Sequence, residues 1–240
     1  MTRTPADIVA MLRGELRFVV DFLRSRLLRL ALLFVGLLLP LWGFAELADE
    51  VREHEPFAFD EPILRFAESL HGDVLDRAFV LISEAGYAYG VVPFDILLIA
   101  ALAWRARLRE GLFAGIAIVG SALLNLATKQ IFARDRPSLW ASISPETTFS
   151  FPSGHAMGSA TLAWVLLLLA WHTRWRWPVA VFVTAFAVSV AFSRVYLGVH
   201  YPSDILAGWA AASAWAVSAY LLVFRFGARP WAEGHRNVVR

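Results

Sequence analysis

Long apolar runs alternate with short polar stretches along most of the chain. Six of these runs have lengths close to the ~20 residues that an α-helix needs to cross the hydrocarbon core of a bilayer. Tryptophans fall near several of their ends, which is typical of the interface between membrane and water. The pattern predicts an all-α, polytopic membrane protein with six transmembrane helices in one bundle. The runs cover approximately residues 30–48, 88–104, 111–132, 156–171, 178–195 and 205–224.

The polar stretches on either side of the first run differ in charge. Residues 1–29 carry six arginines and have the pattern of an amphipathic helix that rests on an anionic membrane surface. Residues 49–85 carry ten acids and three arginines, with apolar spacing that predicts short amphipathic helices outside the membrane. We therefore divide the chain into an amino-terminal segment (1–29), a transmembrane domain (30–226) that contains the acidic loop 49–85, and a tail (227–240).

The distribution of arginine predicts the orientation. Arginines concentrate in residues 1–29, 105–110 and 172–177 and in the tail. With six crossings these regions share one side of the membrane, which the positive-inside rule assigns to the cytoplasm. Both termini are then cytoplasmic, and the loops 133–153 and 196–204 lie on the periplasmic or external face of the cell (inner) membrane.

Composition narrows the classes of function. The 240 residues are 58% hydrophobic, above the about 45–50% of soluble domains. A formal net charge of only +2 argues against nucleic-acid binding. The chain has no cysteine, which excludes disulfides and thiolate metal sites.

The predicted external loops hold three unusual polar clusters. The first is KQIFARDRP, which contains Lys129, the only lysine of the chain. Lysine binds phosphate as a point charge, and Arg136 offers a planar fork for two phosphate oxygens. The alternative for this cluster alone is that its cations snorkel to the end of the third run. Arg134 fits that description, with Asp135 as its solvated neighbour.

The second cluster, PSGH, opens the fourth run. Ser153 is a good helix N-cap and Gly154 permits close backbone approach. A helix start also exposes N–H groups and a partial positive charge that suit a phosphate. His155 is the residue that capping leaves unexplained, although a lone histidine at a helix end is more often structural than catalytic.

The third cluster is SRVYLGVHYPSD. Arg194 lies near the end of the fifth run, where an unpaired cation is costly. His200 and Asp204 are four residues apart, so that the carboxylate can hold one imidazole nitrogen and fix the tautomer. An incidental capping pair is the alternative for these two residues alone. Together, however, the three clusters can meet on one face with the cations, histidines and acid that phosphoryl chemistry uses.

The three clusters resemble the signature of the type 2 phosphatidic acid phosphatase (PAP2) family, which shares its site with vanadium haloperoxidases. The matching positions are Lys129–x6–Arg136–Pro137, then Pro152–Ser153–Gly154–His155, then Ser193–Arg194–x5–His200–x3–Asp204. The resemblance covers about residues 85–225 and implies a membrane lipid phosphatase.

The resemblance also implies a role for each position. His200 attacks phosphorus, Asp204 orients it, and His155 protonates the leaving oxygen and then activates water. The phosphate is held by Lys129, Arg136, Arg194 and backbone N–H groups of Ser153 and Gly154, with Ser193 supporting the network. Positive side chains replace a metal in this scheme, so we expect no cofactor and no metal.

The substrate expected is a phosphorylated membrane lipid: phosphatidic acid, phosphatidylglycerol phosphate or undecaprenyl pyrophosphate. A lipid phosphotransferase with the same site, or a non-catalytic phospholipid-binding or transport protein, remains an alternative. A haloperoxidase is disfavoured because those relatives are typically soluble. Asp95, an intramembrane acid, is a functional candidate by position, with a structural pairing near Pro93 as the alternative. The sequence predicts no oligomeric state.

Overall fold

The computed structural model describes residues 20, 26–225 and 229–231. This part of the chain forms eight helices and contains no strand. Most of the predicted amino-terminal helix (1–29) and of the tail (227–240) lies outside the described residues. The helices are α1 (Arg26–Arg52, with a π-helical stretch at Leu32–Leu38), α2 (Asp60–Glu68), α3 (Asp73–Ala85), α4 (Val91–Trp104), α5 (Leu108–Phe132), α6 (Gly154–Ala170), α7 (Arg176–Tyr196) and α8 (Pro202–Val223).

The described helices agree with the six predicted runs, but only four of these described helices are long and apolar enough to cross a membrane by themselves. These four are α1, α5, α7 and α8. The helices α4 and α6 are apolar but contain 14 and 17 residues. At 1.5 Å per residue, α4 is about 21 Å long, shorter than a hydrocarbon core of about 30 Å. The all-helical fold class is thus confirmed, and the count of six spans stays a prediction.

Helix α8 lies at the centre of the bundle. It packs against α1, α5 and α6, while α6 also packs against α5 and α7. Its sequence is rich in alanine and serine, small residues that let neighbouring backbones approach closely. Apolar side chains of α5, α6 and α8, such as Phe113, Val165 and Val217, form the largest buried cluster among the described residues.

At two glycines, α8 and a neighbouring helix approach each other closely. A Cβ atom at Gly120 of α5 would lie 2.3 Å from the ring of Trp215. A Cβ atom at Gly208 of α8 would lie 2.9 Å from the carbonyl oxygen of Ser153. Because that oxygen belongs to the backbone, the second contact cannot relax by moving a side chain. The start of α6 is therefore seated directly on α8.

The acidic loop contains the short amphipathic helices that the sequence predicts, namely α2 and α3. Helix α2 packs on α7 and α8, and α3 packs on α7. Leu64 and Ala67 on α2 are fully buried, whereas Phe66 and Val74 are exposed. One acid departs from the expected solvated pattern, because Asp60 is buried at the start of α2.

Candidate active site

Four helix ends bring the predicted residues together. Lys129 lies in the last turn of α5 and His155 in the first turn of α6. Arg194 lies in the last turn of α7 and Asp204 in the first turn of α8. Because α6 packs against α5, α7 and α8, these ends meet at one end of the bundle. The sequence positions are far apart, and the antiparallel packing makes them neighbours.

A glycine turn returns the chain from α7 towards α8. Gly198 has a φ of +67°, in the left-handed region that other residues rarely adopt. The ring of Trp140 also occupies the space that a Cβ atom would need. This turn brings the fully buried His200 back to within 3.1 Å of Arg136.

The imidazole of His200 is held on both nitrogens. Nδ1 is 3.3 Å from Oδ2 of Asp204, and Nε2 is 3.1 Å from a guanidinium nitrogen of Arg136. Arginine only donates, so Nε2 accepts and the ring proton is on Nδ1. Burial lowers the pKa of His200 well below 6.5, and Arg136 and Arg194 lower it further. The ring is therefore neutral, with a lone pair on Nε2.

A carboxylate lies among the cations at Nε2. Glu146 binds Arg136 at 2.7 Å and pairs with Arg194, and its other contact is Nδ1 of His155 at 3.8 Å. Burial raises the pKa of Glu146, but Arg194 and Arg136 outweigh it and lower the pKa to about 2. Arg194 also donates to Ser83 of α3. We call Arg136, Glu146 and Arg194 the open cluster.

The loop that carries Glu146 is fixed by two of the cations. Lys129 donates to Oγ1 of Thr148 at 3.1 Å and to the carbonyl oxygen of Phe149 at 2.5 Å. Arg136 donates to the carbonyl oxygen of Thr148 at 2.6 Å. The first sequence cluster is therefore not a set of snorkelling cations, because both side chains are directed at the loop.

A second arginine–carboxylate cluster lies on the other side of His200. Arg134 donates to Oδ1 of Asp204 at 2.6 Å and to Oδ2 of Asp60 at 3.1 Å. Asp60 also accepts from the backbone N–H and the hydroxyl of Ser203, at 2.8 and 2.5 Å. We call Asp60, Arg134 and Asp204 the closed cluster. Arg134 is thus an internal ion-pair partner and not the surface cation that the sequence suggests.

Asp204 serves the cap and the histidine at once. Its Oδ2 accepts from the N–H of Tyr201 at 2.9 Å, as expected for a carboxylate in the first turn of a helix. The same oxygen faces His200 and accepts from the hydroxyl of Ser150. Asp204 therefore makes both the capping contact and the contact to His200, and its role in orienting His200 for catalysis stays a prediction.

The small residues of the predicted site have local partners. Ser153 caps α6 by accepting from the N–H of Ala156 at 3.4 Å, and its own N–H donates to the carbonyl oxygen of Asp204 at 3.1 Å. Ser193 donates to its own helix, at the carbonyl oxygen of Val190, 2.6 Å away. Gly154 leaves room for Asn125, whose Oδ1 would lie 3.0 Å from a Cβ atom there. Their phosphate contacts remain predictions.

Sequence reasoning did not identify five residues whose side chains contact the site residues. One signal was present for Glu146, because it is the only acid between Asp135 and Asp204 and follows Arg136 by ten residues. The others carry no spacing that marks them. They are Asp60, Ser83, Arg134, Glu146 and Ser150.

Asp95 lies apart from these contacts. It is buried in α4, and its Oδ1 has no hydrogen-bond partner among the described residues. The structural pairing near Pro93 is therefore absent for this oxygen. A role for Asp95 stays a prediction.

Comparisons with known proteins match the same part of the chain. The PAP2 superfamily model matches residues 110–228. An undecaprenyl-diphosphatase of Sulfolobus acidocaldarius is 34% identical over 140 residues, which are 56% of this chain and 64% of that protein. Phosphatidylglycerophosphatase B of Bacillus subtilis is 29% identical over 171 residues, which are 69% of this chain and 84% of that protein.

A solved structure shares the fold. It is the crystal structure of a transmembrane PAP2 type phosphatidylglycerolphosphate phosphatase from Bacillus subtilis, with a TM-score of 0.66 and 26% identity. The similarity covers 78% of this chain and 98% of that one. Together with the long apolar helices, it identifies an integral membrane protein. The matched region contains every position of the three clusters, gathered at one end of the bundle, and on this evidence the chain belongs to the PAP2 superfamily.

Proposed function

We propose that the protein is a membrane lipid phosphatase that hydrolyses a phosphomonoester or diphosphate head group through a phosphohistidine at His200. One observation carries the proposal: Arg136 binds both an oxyanion, on Glu146, and Nε2 of His200. A phosphate held by the same guanidinium therefore lies next to a nitrogen lone pair. The relatives named above act on two such lipids, undecaprenyl diphosphate and phosphatidylglycerol phosphate.

The charges of the open cluster favour a phosphate over a carboxylate. In this cluster Arg136 and Arg194 face one acid, and Lys129 adds a further positive charge nearby, so the pocket keeps an excess of positive charge. The Nε–H of Arg194 is buried and finds no acceptor among the described residues. A tetrahedral phosphate offers more oxygens than Glu146 does and can accept from this group. The cations then stabilise the charge of the transition state without a metal.

The two histidines divide the chemistry. Nε2 of His200 forms the bond to phosphorus while the bond from phosphorus to the leaving oxygen breaks, and His155 donates a proton to that oxygen. Asp204 stabilises the positive imidazole that results. His155 then accepts a proton from water as the water oxygen attacks phosphorus and releases His200. A phosphate dianion beside His155 favours the protonated ring that the first step needs.

A lipid tail has an apolar place to lie beside this site. A cavity of about 270 Å³ lies between α4, α6 and α7. Its lining includes Phe94, Leu162, Phe186 and Ser159, and Ser159 follows His155 by one helical turn. A head group at His155 can thus keep its hydrocarbon chain inside the bundle. This cavity supports a lipid substrate over a water-soluble phosphate ester.

We infer further that α1 and α4 to α8 make six crossings, with both termini cytoplasmic and the site at the external face. The inference is supported by the arginines of the loops 105–107 and 172–176, which lie at the end of the bundle opposite the site. Labelling of single cysteines introduced at Ser138 and Thr173 with a membrane-impermeant reagent tests it. Only the cysteine at position 138 is expected to react in intact cells.

The catalytic proposal is tested by phosphate release. The purified full chain in detergent is given phosphatidic acid, phosphatidylglycerol phosphate or undecaprenyl pyrophosphate, with a chelator present. We expect release from at least one lipid, loss of release in His200→Ala, and full activity in the matched control His172→Ala. Activity that disappears with chelator contradicts the metal-free scheme, and undiminished turnover in His200→Ala contradicts the covalent one. Phosphate release without an added acceptor separates hydrolysis from transfer to another lipid.

A further inference from the structure

The closed cluster holds the carboxylate that orients the nucleophile. Asp204 uses Oδ2 for His200, Ser150 and Tyr201, and Oδ1 for Arg134. With both oxygens engaged from different directions, the carboxylate cannot rotate without losing a contact. The guanidinium of Arg134 lies over the ring of Tyr201, 4.1 Å from its centroid, which limits the movement of Arg134 as well.

Asp60 holds the other side of Arg134. It belongs to α2, which precedes the region matched by the superfamily model, and its side chain is only 6% exposed. It binds the guanidinium and also both donors of Ser203, the residue before Asp204. Asp60 therefore fixes Arg134 and the first turn of α8 together.

The charge of the closed cluster suits the proposed reaction. Arg134 attracts negative charge on Asp204, and an unshared guanidinium would reduce the ability of Asp204 to stabilise a positive His200. Asp60 shares the guanidinium and restores a net negative charge to the cluster. The arrangement therefore gives Asp204 both a fixed orientation and enough charge to support the imidazolium.

We propose that Arg134 and Asp60 are positioning residues for the nucleophile, which act through Asp204 and place the acidic loop in the catalytic machinery. The inference rests on the phosphatase function proposed above. It assigns to a segment outside the matched family region a role in the chemical step.

The pH dependence of kcat distinguishes this role from a purely structural one. The charged and titratable groups around His200 are Lys129 of α5, Arg136 and Glu146 of the following loop, Arg194 of α7 and Asp204 of α8, while His155 of α6 faces Glu146. Removing the positive charge of Arg134 leaves these groups unchanged and makes protonation of His200 easier. The fall of kcat at low pH, which is the acid limb of the pH profile, then occurs at higher pH. Removing the negative charge of Asp60 moves it to lower pH.

The experiment uses the purified full chain in detergent, with the lipid that the wild type hydrolyses fastest. The variants are Arg134→Gln, Arg134→Lys and Asp60→Asn, with Arg65→Gln and Glu61→Gln as matched controls on the exposed face of α2. We expect Arg134→Gln and Asp60→Asn to lower kcat by about 10- to 100-fold, with KM changed by less than about threefold. Arg134→Lys is expected to recover part of the loss, and the controls to match the wild type.

Each outcome decides for or against the proposal. The acid limbs of Arg134→Gln and Asp60→Asn are expected to move in opposite directions. A kcat within about twofold of the controls, or a loss that follows only the folded fraction measured by size exclusion, overturns it. If Arg134→Gln does not fold, Asp60→Asn and Arg134→Lys give the answer. An inactive wild type, or an active His200→Ala, would instead refute the phosphatase function itself.

Discussion

The two arginine–carboxylate clusters on either side of His200 use the same chemistry with opposite charge balance. In the open cluster two arginines face one carboxylate, whereas in the closed cluster one arginine joins two. The carboxylates also differ in burial, because the side chain of Glu146 is 26% exposed and those of Asp60 and Asp204 are 6% and 0% exposed. An excess of positive charge beside a partly exposed carboxylate suits an anion that binds and is released. An excess of negative charge that is permanently enclosed suits a histidine that becomes positive.

The variant with the largest expected effect distinguishes the roles of the two clusters, which both contact His200. Asp204→Asn removes the charge that supports a positive His200 and offers an amide donor to Nδ1. We expect kcat to fall by about 10³- to 10⁴-fold, because both the tautomer and the imidazolium are disfavoured. Inhibition by inorganic phosphate should change little, since the open cluster is intact. Phosphate-release kinetics measure both quantities, with Asp135→Asn as the control, and a weakened phosphate inhibition equal to the loss in kcat would contradict the separation.

The next effect tests the open cluster alone. Arg194→Gln removes one of the cations that pair with Glu146, in a position that is almost fully buried. We expect kcat/KM to fall by about 10²- to 10³-fold, because a fixed positive group beside the phosphate is lost. Unlike Asp204→Asn, this variant should also weaken inhibition by phosphate. Unchanged phosphate inhibition would mean that Arg194 does not bind the anion.

A smaller effect of opposite sign is expected at Glu146. Its carboxylate lies where we place the phosphate, so the two anions compete for Arg136 and Arg194. Glu146→Gln should tighten inhibition by inorganic phosphate by about fivefold, or ~1 kcal/mol. Isothermal titration with phosphate measures this change, and Glu61→Gln is the control. Weaker phosphate binding in Glu146→Gln would show that the carboxylate organises the arginines more than it competes.

The smallest effect is on stability in acid. The pKa of Glu146 falls from 4.5 to about 2 on folding, against the effect of burial and because of Arg194 and Arg136. Its contribution is complete above pH 4.5 and is lost as the pH falls towards 2, because only the unfolded state takes up the proton in this window. Between pH 5 and 3 we expect the Tm of the wild type to fall by ~2–4 °C more than that of Glu146→Gln. An equal fall in both proteins would contradict the pairing.

The sequence predicts the helices and the motif positions well because both have local signals. Apolar runs mark the helices α5, α7 and α8, and spacing marks the pair of His200 and Asp204. The number of crossings is harder to predict, because the run at 88–104 loses its first residues to a turn and leaves a helix of 14 residues. The hydropathy of a sequence gives the length of an apolar run, but it does not give the residue at which the helix begins.

The closed cluster could not be predicted because its three residues lie in different segments of the sequence. Asp60 and Arg134 are 74 residues apart, and each has an ordinary surface interpretation, as a solvated acid and as a snorkelling cation. Only the packing of α2 on α7 and α8 buries Asp60 and directs it at Ser203. Glu146 is an intermediate case, since its isolation among neutral residues was visible but its partner was not.

The close packing of α6 on Gly208 sets the spacing between His155 and His200, which we propose as proton donor and nucleophile. His155 travels with the start of α6 and His200 precedes α8, so any side chain at position 208 would act as a spacer between proton donor and nucleophile. Even a methyl group there would require the main chain at the start of α6 to shift, and His155 would move with it. Gly208, because it has no side chain, thus fixes how closely the proposed proton donor approaches the proposed nucleophile.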